Sequence, residues 1–369
     1  MLRSLGAAGA VAGAAILAGS GAAAPTSLAV AEWSRLPTSQ RVVALTFDCG
    51  GNDAGVAPIL RALGARHAAA TFFLTGRWAT VYPEQARRIA AAYPVGNHTY
   101  SHPHLTGQTS AAVKAEITHG ASVIRSITGA VTKPLFRFPY GDRDARTLAL
   151  AGGLGYRSVA WTVDTLGWKG RSAGGTQALV SRVLQHLQPG EIVLMHVGAA
   201  NDHSTLDATA LPTLLRAIAA RGYGFTTLTD YTSASKQTID DGTTRFSASS
   251  HWGHSAWNSQ RYGAGYHYAK PAATPDPARF RLRVPTTATY LVYARWPAAP
   301  EYNRAAPFGV TTTSGISWVR VDEHRDGGRW VYLGSYRLPA GDRYLVQISR
   351  HTTAPGLLIA DALRIVRRP

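Results

Sequence analysis

The sequence is poorest in cysteine, with a single residue, Cys49, among 369. One cysteine cannot form a disulfide within the chain, so a disulfide-stapled miniprotein is excluded, and so is a zinc ribbon. Charged residues are also scarce, at 16%, whereas apolar residues make up 45%. This balance excludes a disordered, collagen-like or coiled-coil chain and predicts stability from packed cores. At about 150 residues per domain, the length favours two or three domains, and two is our starting hypothesis.

Acidic residues are few, with 21 Asp and Glu against 38 Lys and Arg, which gives a net charge of +17. Five of the basic residues are lysines, and the arginines are scattered without a long basic run. Such a balance favours polyanionic neighbours, among them nucleic acid and an anionic cell wall. No recognition-helix or RNA-binding signature accompanies the charge, so the sequence argues against nucleic acid and leaves the wall as the expected partner.

A stretch rich in alanine and glycine follows Arg3, from Leu5 to Ala18. We predict residues 1–31 to be a secretory signal peptide, cleaved after Ala24 or Ala31. An uncleaved anchor is the alternative, although its composition makes it a weak membrane span. We therefore expect a secreted, extracellular protein with the cell wall as one location, and no integral membrane association after cleavage.

From residue 41 to 231, short β-rich runs alternate with stretches of helical apolar spacing. The predicted strands are Val42–Phe47, Ala70–Leu74, Leu135–Phe138, Ser158–Val163, Ile192–Met195 and Phe225–Leu228. The predicted helices are Val56–Leu63, Pro83–Ala92, Ala111–Thr128, Ala145–Ala151, Gln177–Leu187 and Leu211–Arg221. Alternating strands and helices predict an α/β unit with a parallel sheet or barrel.

The composition changes after Tyr231. Residues 232–244 are rich in Ser, Thr and Asp without apolar periodicity, which predicts a linker. Residues 245–369 contain aromatic and β-branched runs divided by Gly, Pro and Asn, which predict an all-β sandwich. Its predicted strands include Tyr290–Trp296, Ser317–Val321, Trp330–Leu333, Tyr344–Ser349 and Leu357–Ala360.

Two histidines, His98 and His102, stand four residues apart. We predict that they begin a helix and project from one of its faces, where two imidazoles can bind one divalent ion. By itself the pair is equally compatible with a solvated or core position.

Asp48 ends an apolar strand abruptly. In α/β folds the site forms at the carboxyl ends of the strands, so we expect Asp48 to face the same cavity as the histidines. A turn-capping Asp is the structural alternative.

Four further fragments place polar groups at predicted strand ends. They are Phe136–Gly141, Trp161–Asp164, Gly167–Trp168 and Ile192–His196. Together with the two segments above, their order and spacing resemble the NodB-homology polysaccharide deacetylases, also called carbohydrate esterase family 4, over about residues 41–230. The resemblance implies a distorted (β/α) barrel with fewer than eight units and a metal-dependent activity on carbohydrate.

The same resemblance implies a role for each matching residue. Asp48 is implied as the general base, Arg137 as the residue that orients it, and His98 and His102 as ligands of a divalent metal, with Zn²⁺ expected. These roles suit amide hydrolysis, because a bound Zn²⁺-type ion lowers the pKa of water to about 7.

His196 is implied as the general acid, held protonated by Asp164, so that acid and base are separate groups. The remaining positions are implied to surround the substrate. They are Tyr140, whose backbone N–H helps to bind the oxyanion, Pro139, which shapes that turn, and Trp168 and Leu194, which form the apolar walls of the acetyl pocket.

Cys49 departs from the family pattern, in which a second Asp usually supplies the third protein ligand of the metal. A thiolate is a good zinc ligand, and Asp53 could instead reach in from the loop. Cys49, Asp53 and water remain open as the third ligand. If Cys49 does not coordinate, it is a small packing residue.

Residues from Phe246 onward resemble the golvesin C-terminal-like domain, a β-sandwich of exported hydrolases and lyases that is thought to bind carbohydrate. The matching stretches are 252–253, 261–263, 293–297, 328–331 and 359–362. Five of the nine tryptophans lie in this part, and an exposed aromatic ring can stack on a sugar. We predict sugar or wall binding here, with a structural role as the alternative.

These observations together predict a secreted polysaccharide deacetylase, a hydrolase of linear amides that acts on N-acetylhexosamine units. Peptidoglycan is the first expected substrate, and chitin-type glycan is the second. Two alternatives remain: an esterase for acetylxylan or another O-acetyl ester, and a wall-binding protein with a degenerate barrel, which the change at Cys49 suggests.

Overall fold

Eight parallel strands form the sheet of the first unit in the computed structural model, which describes residues 32–198, 202–232 and 236–368. The strands are β1 (Val42–Cys49), β2 (Ala70–Leu74), β3 (Val95–Asn97), β4 (Leu135–Phe136), β5 (Arg157–Ser158), β6 (Val163–Asp164), β7 (Glu191–His196) and β8 (Gly224–Phe225). Their order is β5-β4-β3-β2-β1-β7-β6, with β8 paired to the start of β1. The predicted signal peptide, residues 1–31, lies outside the described residues.

Eight helices among the described residues accompany this sheet. They are α1 (Val56–Ala65), α2 (Gly76–Val81), α3 (Pro83–Ala92), α4 (Ser110–Thr128), α5 (Ala145–Gly153), α6 (Gly175–Gln185), α7 (Leu206–Ala220) and α8 (Thr229–Thr232). Strand β2 is buried along its whole length, as expected for a parallel sheet covered on both faces. Phe47 and Phe72 stack in this core with ring centroids 4.9 Å apart. The predicted distorted α/β barrel is confirmed as a curled, open parallel sheet with helices.

Two local predictions in this unit are wrong. The single predicted strand Ser158–Val163 is divided into β5 and β6, because the carbonyl groups between them turn toward the Arg137 side chain. The segment from His98 to His102 is a loop after β3 and not a helix, with His102 in the left-handed region at φ 64°.

The second unit consists of antiparallel sheets. Its strands are β9 (Lys236–Asp240), β10 (Phe246–Ser247), β11 (Gly253–Ser255), β12 (Tyr266–Ala269), β13 (Ala278–Val284), β14 (Ala288–Arg295), β15 (Ala306–Thr312), β16 (Gly315–Val321), β17 (Val331–Leu338), β18 (Gly341–Ile348), β19 (Leu358–Ala360) and β20 (Ala362–Arg367). The sheets are β10-β13-β18-β15-β16, β17-β14-β20-β9 and β11-β12-β19, and they share one hydrophobic core. The all-β class of this unit is confirmed.

The predicted linker, residues 232–244, contains strand β9, which corrects the sequence interpretation. Strand β9 pairs with β20 at the edge of its sheet. Within β9 only Ile239 is buried, and an edge strand with one inward apolar residue gives too weak an alternation to be recognised from sequence.

The two units pack directly against each other. Tyr293 and Tyr332 of the second unit belong to the same hydrophobic cluster as Tyr93 of the first. Polar bonds cross the contact as well: Tyr293 Oη donates to Asp230 Oδ2 at 2.9 Å, and Arg368 Nη1 donates to the Ala90 carbonyl at 2.8 Å. The second unit is therefore held in a fixed place beside the sheet. No helix in the described ranges is long and apolar enough to cross a membrane.

The stability of the second unit is expected to depend on pH through Asp361, whose two carboxylate oxygens accept from the Tyr262 N–H. Burial and the nearby Asp241 and Asp240 raise the pKa of Asp361 from 3.8 to about 8. The folded protein therefore binds an extra proton between these two values. Below the pKa that Asp361 has in the unfolded state, its full contribution to the free energy of unfolding is present. That contribution is lost as the pH rises through the pKa of the folded state, by about 1.4 kcal/mol per pH unit.

Urea unfolding at pH 5 and pH 8 measures this loss, which Asp361→Asn should reduce. The titrations need a chelator, because Asp240, Asp241 and Asp361 lie within 4.8 Å of one another and could hold a cation. Asp342→Asn is the control, since that carboxylate is exposed. An Asp361→Asn variant with the same pH dependence as the wild type would contradict the expectation.

Candidate active site

Four predicted site residues meet at one edge of the parallel sheet. Asp48 lies near the end of β1, His98 and His102 follow β3, and Arg137 follows β4. The carboxyl ends of parallel strands share an edge, so residues that are distant in sequence become neighbours there.

A buried ion pair is the centre of this group. Arg137 Nη1 donates to Asp48 Oδ1 at 2.8 Å, and the arginine side chain is completely buried. Its other nitrogens are also satisfied, because Nε donates to the Val159 carbonyl and Nη2 to the Ala160 carbonyl. Burial alone would raise the pKa of Asp48, but Arg137 and His98 oppose it and the net pKa is lowered. Asp48 is therefore a carboxylate held in one orientation by Arg137.

The two histidines converge through their Nε2 atoms, which are 3.1 Å apart. His98 Nδ1 lies 2.8 Å from the Arg137 carbonyl, to which it donates, so its Nε2 is left as a lone-pair donor. Burial lowers the pKa of His98, and burial together with His98 lowers the pKa of His102 to about 3. Both imidazoles are neutral near pH 7, which is the form that binds a metal ion.

The loop that carries the histidines is fixed by residues that the sequence interpretation missed. Glu116 on α4 accepts from the N–H groups of Tyr100 and Ser101. Gly120, one turn further along α4, allows close approach, because a Cβ at that position would lie 2.6 Å from the carbonyl group of Thr99. Their spacing of four residues on one helix face was the available sequence signal.

The donor atoms fit a Zn²⁺-type ion. His98 and His102 supply two convergent imidazole nitrogens, and Asp48 Oδ2 lies 3.4 Å from His98 Nε2. Imidazole and carboxylate groups are ordinary zinc ligands. The two imidazoles are therefore the side chains that could hold such an ion, and among the described residues Asp48 does not complete a group of three donors within 4.8 Å with them.

Cys49, Asp53 and water were left open as the third ligand, and among the described residues neither Cys49 nor Asp53 forms a three-donor group with the histidines. Cys49 is fully buried in the hydrophobic cluster, and burial followed by the charge of Asp48 raises its thiol pKa well above the usual value. Across the described segments, the one group of three His, Cys, Asp or Glu donors within 4.8 Å is Asp240, Asp241 and Asp361, in the second unit. Cys49 therefore packs as a small apolar residue, and Asp53 stays outside the histidine pair.

The Tyr140 ring lies beside His102, in a turn that also contains Pro139. Tyr140 has a φ of 58° in the turn after β4, and its exposed ring meets His102 edge-on with centroids 4.5 Å apart. The His104 ring stacks on the Tyr140 ring, with centroids 4.1 Å apart. Pro139 is buried in the same turn. The Tyr140 ring therefore borders one of the proposed metal ligands.

His196, Trp168 and Leu194 form the other side of the site. His196 is the partner of Asp48 in the register of β7 against β1, and its Nδ1 is buried with no hydrogen-bond partner among the described residues. Leu194 is buried on the same strand, and Trp168 is partly exposed in the segment after β6. His196 therefore places an imidazole beside Asp48, and Leu194 lies two residues earlier on the same strand.

The predicted partner of His196, Asp164, is engaged elsewhere, and the prediction is corrected here. Asp164 accepts from the Leu166 N–H at 2.7 Å and from Trp168 Nε1 at 3.0 Å. Asp207 of α7 bonds the main chain of His196, because its Oδ2 accepts from the His196 main-chain N–H at 2.8 Å, whereas the ring Nδ1 of His196 has no partner among the described residues. Sequence reasoning missed Asp207 because it lies in a helix, 11 residues after the strand.

Comparison with known proteins gives two family matches. The polysaccharide deacetylase family model matches residues 35–159, and the golvesin C-terminal domain model matches residues 237–367. The chain is 32% identical over 202 residues to a peptidoglycan-N-acetylglucosamine deacetylase of Bacillus cereus, over 54% of this chain and 72% of that protein. It is 35% identical over 181 residues to a chitooligosaccharide deacetylase of a Bradyrhizobium strain, over 48% of this chain and 81% of that protein.

Solved structures of similar fold include one that is described as a pseudoenzyme. A CE4 family pseudoenzyme from Bacillus anthracis matches with a TM-score of 0.51 and 28% identity, over 55% of this chain and 69% of that chain. A mutant of that protein is described as having restored enzymatic activity. The sequence matches, the curled parallel sheet and the strand-end group of Asp48, Arg137 and two histidines agree, and the chain belongs to the polysaccharide deacetylase family with a golvesin C-terminal domain.

Proposed function

We propose that the protein is a secreted, metal-dependent deacetylase that hydrolyses the N-acetyl group of N-acetylhexosamine residues in a polysaccharide. Peptidoglycan is the first candidate substrate, and chitin-type glycan is the second. The observation that supports this proposal is the group of residues at the strand ends. There Asp48 is oriented by the buried Arg137, and its Oδ2 lies 3.4 Å from Nε2 of His98, one of two convergent histidines. The names of the relatives, which act on peptidoglycan and chitooligosaccharide, support the choice of substrates.

Asp48 accepts a proton from the attacking water. Its Oδ1 is occupied by Arg137, so Oδ2, on the side of His98, is the oxygen that takes the proton. The lowered pKa keeps this carboxylate ionised and ready to accept it. His98 and His102 would hold the divalent ion, which, when bound, polarises a carbonyl oxygen and lowers the pKa of water.

His196 supplies the proton to the leaving nitrogen. The bond between the water oxygen and the acetyl carbon forms, the bond from that carbon to nitrogen breaks, and one proton passes from His196 to the amine. The proton that Asp48 accepted returns to solvent, and His196 takes up a new one. The products are acetate and a free amine on the sugar.

The Tyr140 backbone N–H is assigned to the oxyanion. A donor of this kind contributes about 3–4 kcal/mol to transition-state stabilisation. Pro139 fixes the turn that presents it, and Trp168 and Leu194 enclose the acetyl methyl group. Trp168 is itself held by the bond from its Nε1 to Asp164 Oδ2.

A degenerate wall-binding protein is the second candidate function, and one observation favours it. Neither Cys49 nor Asp53 completes a three-donor group with the histidines in the described residues. A solved relative of the same fold is a pseudoenzyme. An O-acetyl esterase is the third reading, because the same groups can cleave an ester.

The second unit is proposed to bind the glycan or wall. Trp252 and Trp296 are buried and belong to its core, which removes them as sugar contacts. Trp257 and Trp318 are exposed, and the Trp318 ring lies over Gly309 of the neighbouring strand β15, with ring atoms 2.9 Å from where a Cβ would stand. A flat, exposed indole on a sheet face suits stacking on a pyranose ring.

The experiment that tests the function measures acetate released by the purified full chain from peptidoglycan, chitin oligomers and acetylxylan. We expect release from an N-acetylated glycan, loss with chelator, and recovery with added Zn²⁺. The double variant His98→Ala/His102→Ala should lose both metal content and acetate release, whereas His104→Ala should keep its metal.

Each other outcome identifies an alternative. Acetate from acetylxylan alone indicates an esterase. A protein that sediments with insoluble peptidoglycan, carries zinc and releases no acetate from any glycan is a degenerate binder. Full activity in chelator overturns the metal dependence.

A further inference from the structure

The general acid of the proposed reaction lies against a carboxylate that the family resemblance did not indicate. Asp207 Oδ2 accepts from the main-chain N–H of His196 at 2.8 Å, while Asp207 Oδ1 is buried and has no hydrogen-bond partner in the described part of the chain. His196 Nδ1 is likewise buried without a partner among those residues. The bond that joins the two residues therefore comes from the His196 main chain, while the ring Nδ1 of His196 and Oδ1 of Asp207 both lack a partner among the described residues. The Thr165 hydroxyl also acts on the Asp207 carboxylate and lowers its pKa.

The buried position of the Asp207 carboxylate is unfavourable for the stability of the fold. Its side chain is 2% exposed on the first turn of α7, and no Lys or Arg of the described residues lies within 4.0 Å of its carboxylate. Burial raises its pKa to about 6, and the strongest opposing influence is the charge of His196. A buried carboxylate without a cation partner lowers stability, and a small apolar residue on this helix face would pack without that penalty.

The space for this carboxylate is created by a glycine. A Cβ at Gly167, in the segment after β6, would lie 2.0 Å from Asp207 Oδ2 and 2.4 Å from its Cγ. The backbone of Gly167 does not have a positive φ, so conformation alone does not require glycine there. Gly167 and Asp207 therefore share one small volume beside His196, which only one of them can fill with a side chain.

The other charged groups around His196 come from four elements. Asp48 stands on β1, His98 and His102 on the loop after β3, Asp164 on β6 and Asp207 on α7. Asp48 is paired with Arg137, and Asp164 is occupied by Leu166 and Trp168. Asp207 is the carboxylate left to act on His196.

We propose that Asp207 is the positioning residue of the general acid: its carboxylate fixes His196 at the end of β7 and places a buried negative charge beside that residue. The inference rests on the proposed function, in which His196 donates a proton to the leaving nitrogen. Asp164, in this assignment, holds Trp168 and does not act on His196.

Two readouts test the proposal on the full chain. The first is the His196 pKa, followed by ¹³C–¹H NMR of histidine-labelled protein and assigned with His196→Gln. Asp207→Asn, which preserves shape, should lower this pKa measurably, because the substitution removes an opposite charge from beside the imidazole. The second is the pH profile of acetate release, in which kcat should fall about 10–100-fold with little change in KM.

A charge-relocation set separates positioning from mere packing. Asp207→Ala should lose kcat, Asp207→Ala with Gly167→Asp should regain most of it, and Asp207→Ala with Gly167→Asn should not. The carboxylate from position 167 would enter the volume that Asp207 leaves, whereas the amide would fill the same space without charge. Asp164→Asn should leave the His196 pKa in place.

The outcomes are decisive in each direction. If Asp207→Asn is folded and the His196 pKa and kcat are unchanged, the proposal is overturned. It is also overturned if Asp164→Asn shifts the His196 pKa and Asp207→Asn does not. If the wild type releases no acetate but the His196 pKa falls in Asp207→Asn, the contact stands and the proposed function fails instead.

Discussion

Asp48→Asn is expected to lower acetate release by about 10²–10⁴-fold, the range that general acid–base catalysis contributes. The amide keeps the shape of the side chain and can still accept from Arg137 Nη1, but it cannot take a proton from water. Metal content should remain near that of the wild type, because both histidine Nε2 atoms are unchanged. The measurement is kcat for acetate release, together with zinc content of the same preparation.

A matched control for Asp48→Asn is Asp342→Asn. Asp342 is also paired with arginine, through Arg245 and Arg281, but it is exposed and belongs to the second unit. Its variant should retain full turnover. Wild-type turnover in Asp48→Asn would remove Asp48 from the role of base.

Arg137→Met is expected to destabilise the fold by about 3–5 kcal/mol, the usual cost of leaving one partner of a buried ion pair uncompensated. The change leaves Asp48 as a buried carboxylate without its cation, and it removes the donors to the carbonyls of Val159 and Ala160. The loss should be larger at pH 8 than at pH 5. Without Arg137 the folded pKa of Asp48 rises above its unfolded value, and stability then falls as the pH rises through it.

Urea unfolding of Arg137→Met, alone and in the Asp48→Asn background, measures this coupling. The loss should be smaller in the double variant, because no buried carboxylate remains to be stranded. Arg325→Met is the control, since that side chain is exposed and its pair with Asp322 is worth at most about 1 kcal/mol. Equal losses in the two backgrounds would show that Arg137 acts by packing and not through Asp48.

The predictable part of the fold was the part with a strong local pattern. Strand β2 and helix α3 agree with the sequence prediction residue for residue, because each has its own apolar periodicity. Strand β3 was missed since Val95–Asn97 has three residues, one of them glycine. Strand β9 was taken for a linker because it has a single inward apolar residue.

The site residues show the same difference between features with a local sequence signal and features without one. Asp48 and the two histidines were found because they stand at the end of an apolar run or at a short fixed spacing, and both signals are local. The helix predicted for the histidines was wrong, since the left-handed backbone of Thr99 and His102 depends on bonds to Asn97 and Glu116 and on the close approach of Gly120.

Local sequence patterns were sufficient to predict the α/β class of the first unit, the all-β class of the second, and the polar residues at the strand ends. The partner of each carboxylate became evident from the folded chain and not from any local pattern. Asp164 bonds Trp168, Asp207 reaches His196 from a helix through the space at Gly167, and Cys49 packs in the core. Strand periodicity depends on residues that are close in sequence. The pairing of a buried charge depends instead on elements that come into contact only when the chain folds.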